Sequence, residues 1–213
     1  MKNNLLIFGG KSTAFEICEV ANTFSKDKFS EIFMVVPDNE KIEKKYNYLK
    51  DSDIESYVKS NHCLYIVGFT EQKGRLRLQN RMKDLDVNPV NIIHPNATIS
   101  PSSIIGVGNY IAAGSIISSN AKITNHCIVN YNSTIGHDSS INSNSIILPG
   151  ARISGNVNIG KRVLIGANTF IFQNKSIGDD CVIDAMTHID RDIDNNQICS
   201  SKIKLRTYKR VTH

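Results

Sequence analysis

Residues 123–147 read ITNHCIVNYNSTIGHDSSINSNSII, and the spacing of their aliphatic residues decides the architecture. Ile123, Val129, Ile135, Ile141 and Ile147 stand six residues apart. Followed outward in both directions, the same grid runs from Ile93 to Ile189 without an insertion, seventeen positions of which sixteen are Ile and one is Val. An amphipathic helix repeats near 3.6 residues and falls out of phase with such a grid. An even period keeps every grid residue on one face of an extended chain, with turns between short strands. The arrangement that buries all of these side chains is a solenoid whose coils stack, each Ile over its equivalent in the next coil. Three hexads per coil make a triangular prism. Four residues after the grid position the side chain is usually small (Ala121, Cys127, Ser133, Ser139, Ser145, Ala151), as a crowded inner corner requires.

The region before the grid follows a different pattern. Leu5-Leu6-Ile7-Phe8 is an apolar run that ends in Gly9-Gly10 and is followed by Lys11-Ser12-Thr13 and a helical pattern of Phe15, Ile17, Cys18, Val20, Ala21 and Phe24. Ile32 to Val36 leads into Pro37-Asp38, and Cys63 to Val67 leads into Gly68 and a basic helix with Arg75, Leu76, Leu78 and Met82. Strands alternating with helices predict a small parallel α/β unit of βαβ, Rossmann-like type. Such sheets bind ligands at the C-terminal strand ends, where a helix N-terminus offers N–H groups to an anion. Gly9 and Gly10 fit that role, and fit equally a turn that needs glycine for its geometry. Asp38 stands where a carboxylate accepts a hydroxyl or base N–H bond, or serves the turn before Asn39.

The chain of 213 residues carries a net charge of +5, but five basic residues (Lys202, Lys204, Arg206, Lys209, Arg210) and no acid follow Asn195. Residues 1–194 are therefore neutral, which sets aside nucleic-acid binding by the body, since that needs a basic face, and leaves it open for the tail. No apolar run is long enough to span a bilayer, and the start MKNN has no signal-peptide pattern. Five cysteines without CxxC spacing argue against a disulfide framework or structural zinc and for reduced thiols in the cytoplasm. The expected organisation is an α/β domain over residues 1–91, a solenoid over 92–194 and a basic tail over 195–213.

Taken together, LLIFGGKST, VVPD, IVGFTEQKGRLR, NIIHPNATISPSSIIG, IVNYNSTIGHDSSI, ILPGARISGNVNIG and VLIGANTFIF carry a resemblance. The chain up to about Ile193 resembles the hexapeptide-repeat sugar acyltransferases. These include the UDP-4-amino-sugar N-acetyltransferases of bacillosamine-type pathways and the sialic acid O-acetyltransferases. The resemblance implies a nucleotide-sugar-binding domain followed by a left-handed parallel β-helix, and a homotrimer with active sites between subunits. It also implies acetyl-CoA or another acyl-CoA as co-substrate, without a metal.

Acyl transfer from a thioester needs a base for the attacking group and donors for the developing oxyanion. His137 stands in a turn after Gly136, beside a carboxylate that can orient it. The resemblance makes His137 the general base, Asp138 its support, and Gly155 the residue whose N–H lies near the acyl carbonyl. It assigns Gly9, Gly10, Lys11, Ser12, Thr13, Asp38 and Asn130 to the nucleotide-linked sugar, and Gly155, Ala167 and Asn168 to the cofactor. Two family histidines are replaced, by Thr13 at the phosphate turn and by Ile146 nine residues after the base, where an apolar side chain would line the acceptor pocket. The usual closing segment of the family is replaced by CSSKIKLR, whose basic residues are candidates for the CoA phosphates. A three-histidine zinc site is not expected, because His126 and His137 are eleven residues apart on different faces. The expected activity is N-acylation of an amino sugar for surface-glycan synthesis. Sugar O-acetylation and an inactive sugar-binding solenoid are the alternatives.

Overall fold

The computed structural model describes residues 2–40 and 45–201. The basic residues from Lys202 onward lie outside them. The N-terminal unit runs β1 (Asn3–Phe8), α1 (Thr13–Phe24), β2 (Phe29–Val36), β3 (Asn47–Lys50), α2 (Ile54–Ser60), β4 (Cys63–Val67), α3 (Gln72–Asp84) and β5 (Asn88–Pro89). All five strands pair in parallel, in the order β3-β2-β1-β4-β5. Both faces of β1 are covered, as a central parallel strand requires. Leu5 and Ile7 join Ile17 and Ala21 of α1 on one side. Leu6 and Phe8 join Ile54, Leu78 and Met82 on the other.

The stem follows as short two-residue strands, β6 (Ile92–Ile93) through β23 (Ile198–Cys199). They form three parallel sheets, the faces of a left-handed parallel β-helix. Face I begins with β6, face II with β7 (Thr98–Ile99) and face III with β8 (Ile104–Ile105). Each residue pairs with the one eighteen positions on, for example Ile111 with Val129 and Ile117 with Ile135. The grid isoleucines from Ile111 to Ile183 are at most 2% exposed and form one continuous core. The small residues point into the corners, and the serines among them bond there. Ser115, Ser133, Ser139 and Ser145 each donate to a carbonyl fifteen residues further on, at 2.7–3.0 Å. A hydroxyl thus satisfies a buried carbonyl in the next coil, at a volume that an Ile could not fit.

From Gly108 to Met186 each corner has its fourth hexad residue in the left-handed region. Asn120, Asn132, Asp138, Asn144, Asn156, Asn168, Asn174 and Asp180 have φ between 53° and 65°. Asn and Asp tolerate this conformation best among residues with a Cβ. Three larger side chains, His126, Arg162 and Met186, also occupy it.

The stem passes the expected limit at residue 194. The segment after Ile189 is two residues short, so Ile177 pairs with Ile193 and Ile183 with Cys199, sixteen residues away instead of eighteen.

The two units pack as one body. The outer residues of face I, Ile92, Tyr110, Ile128 and Ile146, share a core with α1. On the adjoining III–I corner, Arg75 of α3 is 1% exposed. Its Nη1 donates to the Phe69 carbonyl at 2.6 Å and its Nη2 to the His126 carbonyl at 2.5 Å. Gln72 and Gln79 of α3 bond the backbone and side chain of Asn144 on the same corner. No helix among the described residues is long and apolar enough to cross a membrane.

Candidate active site

The candidate residues fall into three places. The first is a cleft of about 1050 Å³ at the C-terminal ends of β1, β2 and β4, where the strand order reverses. It gathers Gly9, Gly10, Lys11, Ser12, Thr13 and Asp38, together with Gly68, Phe69, Arg77 and Arg81 from β4 and α3. Gly9 has φ 133°, and a Cβ there would lie 2.9 Å from Cβ of Ala14. A Cβ at Gly68 would lie 2.7 Å from Cα of the same residue. Both glycines thus let the start of α1 settle onto the strand ends. Ser12 caps α1 with φ 42° and without a side-chain cap bond, so its hydroxyl is not committed to the helix. Asp38 accepts from the Oγ and N–H of Ser52 at 2.8 and 3.3 Å. These bonds, the hydroxyl foremost, hold its carboxyl below the ordinary range. Arg81 is held by Asp51 at 2.8 and 2.9 Å, and Lys11 faces Glu40 at 3.5 Å.

The second place is the II–III corner of the stem. His137 and Asp138 form its turn, and Nδ1 of the imidazole lies 2.8 Å from Oδ2 of Asp138. Asn120 Nδ2 donates to Oδ1 of the same carboxylate at 3.1 Å. The bond to His137, and then the one to Asn120, holds the Asp138 carboxyl below its usual value. Gly155 lies one coil further at the same corner. A Cβ on it would collide with Nε2 of His137 and stand 2.7 Å from Cε1. The ring therefore rests over a bare backbone, with its Nε2 edge toward Gly155.

The third place is the I–II corner. Asn130 is 7% exposed there, and its Oδ1 accepts from the N–H of Tyr131 at 2.9 Å. Ala167 and Asn168 stand on the same corner two coils on. The Asn168 side chain lies over Gly150, where a Cβ would strike its Oδ1.

The fold therefore does not bring all candidates together within one chain. Helix α1 packs against face I while the cleft is lined by residues of the N-terminal unit, and Asn130, Ala167 and Asn168 occupy the corner where face I ends. His137, Asp138 and Gly155 occupy a different corner, after face II. Ile146 corrects an expectation: it is 0% exposed and packed beneath α1, so it lines no acceptor pocket. His126 is also structural, its ring stacked on Tyr65 at 6.0 Å. Burial, and then the Arg75 charge, pulls its pKa down to about 4. His188 packs on Phe170 at 5.2 Å and His94 on Phe24 at 4.9 Å. Asn120, Arg77 and Arg81 were not singled out from sequence. The repeat of Asn at the fourth hexad position was the available signal for Asn120.

No protein-family profile and no curated protein sequence matches the chain. Solved structures do. The acetyltransferase domain of PglB from Neisseria gonorrhoeae, solved with acetyl coenzyme A, is 23% identical with a TM-score of 0.83, covering 93% of this chain and 96% of that one. PerB from Caulobacter crescentus, solved with CoA and GDP-perosamine, is 22% identical with a TM-score of 0.83, covering 92% and 93%. WeeI from Acinetobacter baumannii is 18% identical with a TM-score of 0.71, covering 89% and 95%. Over nearly its whole length, the chain has the fold of these proteins.

Proposed function

We propose that the protein transfers an acyl group, acetyl in the simplest case, from acyl-CoA to the amino group of a nucleotide-linked deoxyamino sugar. The reaction would take place in the cytosol and supply surface-glycan synthesis. The observation that carries this reading is the His137–Asp138 pair set over the bare backbone of Gly155. With Nδ1 held by the carboxylate, Nε2 is the nitrogen left to accept a proton. The amine attacks the thioester carbonyl, and its proton passes to Nε2 of His137 as the C–N bond forms. The Gly155 N–H steadies the oxyanion, and the C–S bond then breaks to release CoA as its thiol once protonated. The cleft beside α1 suits the nucleotide and its diphosphate, with Ser12 and Thr13 at the helix N-terminus. PerB, which has the same fold, was solved with ligands of both these kinds.

The separation of the cleft from the His137 corner favours assembly into a homotrimer. In that arrangement the cleft and I–II corner of one subunit face the II–III corner of the next, and Ala167 and Asn168 border the CoA arm. The test is CoA release from acetyl-CoA across a panel of UDP- and GDP-linked amino sugars and their hydroxyl counterparts. The expected result is turnover with an amine, reduced by at least ~10² in His137→Ala through loss of base catalysis. Turnover confined to hydroxyl sugars would overturn the N-acyl assignment. An active His137→Ala variant would overturn the base.

A further inference from the structure

Asn120 lies one coil before Asp138 on the II–III corner, and both adopt the left-handed conformation, at φ 57° and 58°. The two oxygens of the Asp138 carboxylate are divided between two neighbours. Oδ1 accepts from Asn120 Nδ2 at 3.1 Å, and Oδ2 faces Nδ1 of His137 at 2.8 Å. Asn120 is itself anchored, its backbone N–H donating to Ser102 Oγ at 3.1 Å. Ser102, Asn120, Asp138 and His137 thus form one hydrogen-bonded series along the corner.

An Asp carboxyl turns easily about its last torsion, which has broad wells. The side chains of His137 and Asp138 are 59% and 46% exposed, so packing alone does not fix them. A second donor on the far oxygen does. We infer that Asn120 is a positioning residue of the transfer reaction, holding Asp138 so that the imidazole of His137 carries its proton on Nδ1 and presents a free Nε2. An aspartate at position 120 would offer no donor and would set a like charge beside Asp138. Among the left-handed residues stacked at this corner (Asn120, Asp138, Asn156, Asn174), only the one beside His137 is acidic, and Asn120 holds it.

This inference rests on His137 being the general base, and its test separates the two. Asn120→Gly removes the amide while suiting the left-handed backbone. In the full chain, with acetyl-CoA and an amino sugar that supports turnover, kcat is expected to fall about 3- to 10-fold, the rate equivalent of one ordinary hydrogen bond. Both Michaelis constants should stay unchanged. In an Asp138→Asn background the same substitution should cost nothing further. The ¹⁵N spectrum of the His137 ring should show one Nδ1–H tautomer in the natural protein and a mixture in Asn120→Gly. A single tautomer and full kcat in that variant would overturn the inference, as would an equal loss in the Asp138→Asn background. The ring spectrum needs no turnover, so it decides the role of Asn120 even if His137→Ala proves active and the base assignment fails.

Discussion

The imidazole of His137 rests on the backbone of Gly155, so close that a Cβ on the glycine would overlap Nε2. Gly155 does not lie in the left-handed region, so alanine there meets the ring and not a backbone restriction. Gly155→Ala should therefore fold and assemble normally while displacing the imidazole. An ångström of misplacement costs about 10²-fold in rate. The check is steady-state turnover alongside thermal melting. A variant with full activity would separate His137 from the transfer step.

Ile146→His restores the imidazole that the sequence resemblance implied at this position, and is expected to destabilise rather than to rebuild a site. Ile146 is 0% exposed under α1, and a polar ring without a partner costs about 1–3 kcal/mol in such a setting. The midpoint of urea unfolding measures this, and the N-terminal unit should loosen from the stem.

Arg75 spans the two units, joining a carbonyl of the cleft wall to one of the stem corner. Arg75→Leu leaves both carbonyls without that donor and should cost about 2 kcal/mol or more. Hydrogen exchange in α3 should quicken, while exchange in the stem beyond Asn144 should not. The Michaelis constant for the nucleotide sugar should rise because Phe69 lines the cleft.

His126 gives the stability a pH dependence. Its folded pKa is about 4, below the ordinary value of 6.5, because burial and the neighbouring guanidinium of Arg75 oppose its charge. Between these values the unfolded chain binds a proton that the native chain refuses, so this contribution to stability is complete above about 6.5 and declines toward pH 4. His126→Asn keeps a side chain suited to φ 58° and removes the titration. The fall in melting temperature from pH 7 to pH 4.5 should be smaller in the variant than in the natural protein.

The stem was legible because a solenoid repeats one packing problem, and Ile93 to Ile189 solve it in the same way each time. The shortened loop before Ile193 was not legible, since it breaks the only rule available. In the N-terminal unit, β1, β2 and β4 announce themselves as apolar runs. Strand β3, with the sequence NYLK at the sheet edge, does not, and neither does β5 with its proline. Arg75 looked like one charge of a basic helix, because burial of a guanidinium between two carbonyls depends on a corner 51 residues away. The His137–Asp138 pair was readable as neighbours in the chain. Its distance from Asn130 was not, because seven residues in this fold turn a corner of the prism.

The eighteen-residue coil also constrains how such a protein can change. Stacked strands are spaced by roughly 4.8 Å, so any displacement of the His137 corner along the axis comes in whole increments of that size. Removing one coil between the two corners' outer rungs would leave a sound prism whose histidine meets the wrong glycine. Adjustment to a new acceptor is therefore confined to side chains on the rungs and to the seating of α1 and α3 on the stem, while the stem acts as a gauge block that cannot be stretched by a fraction.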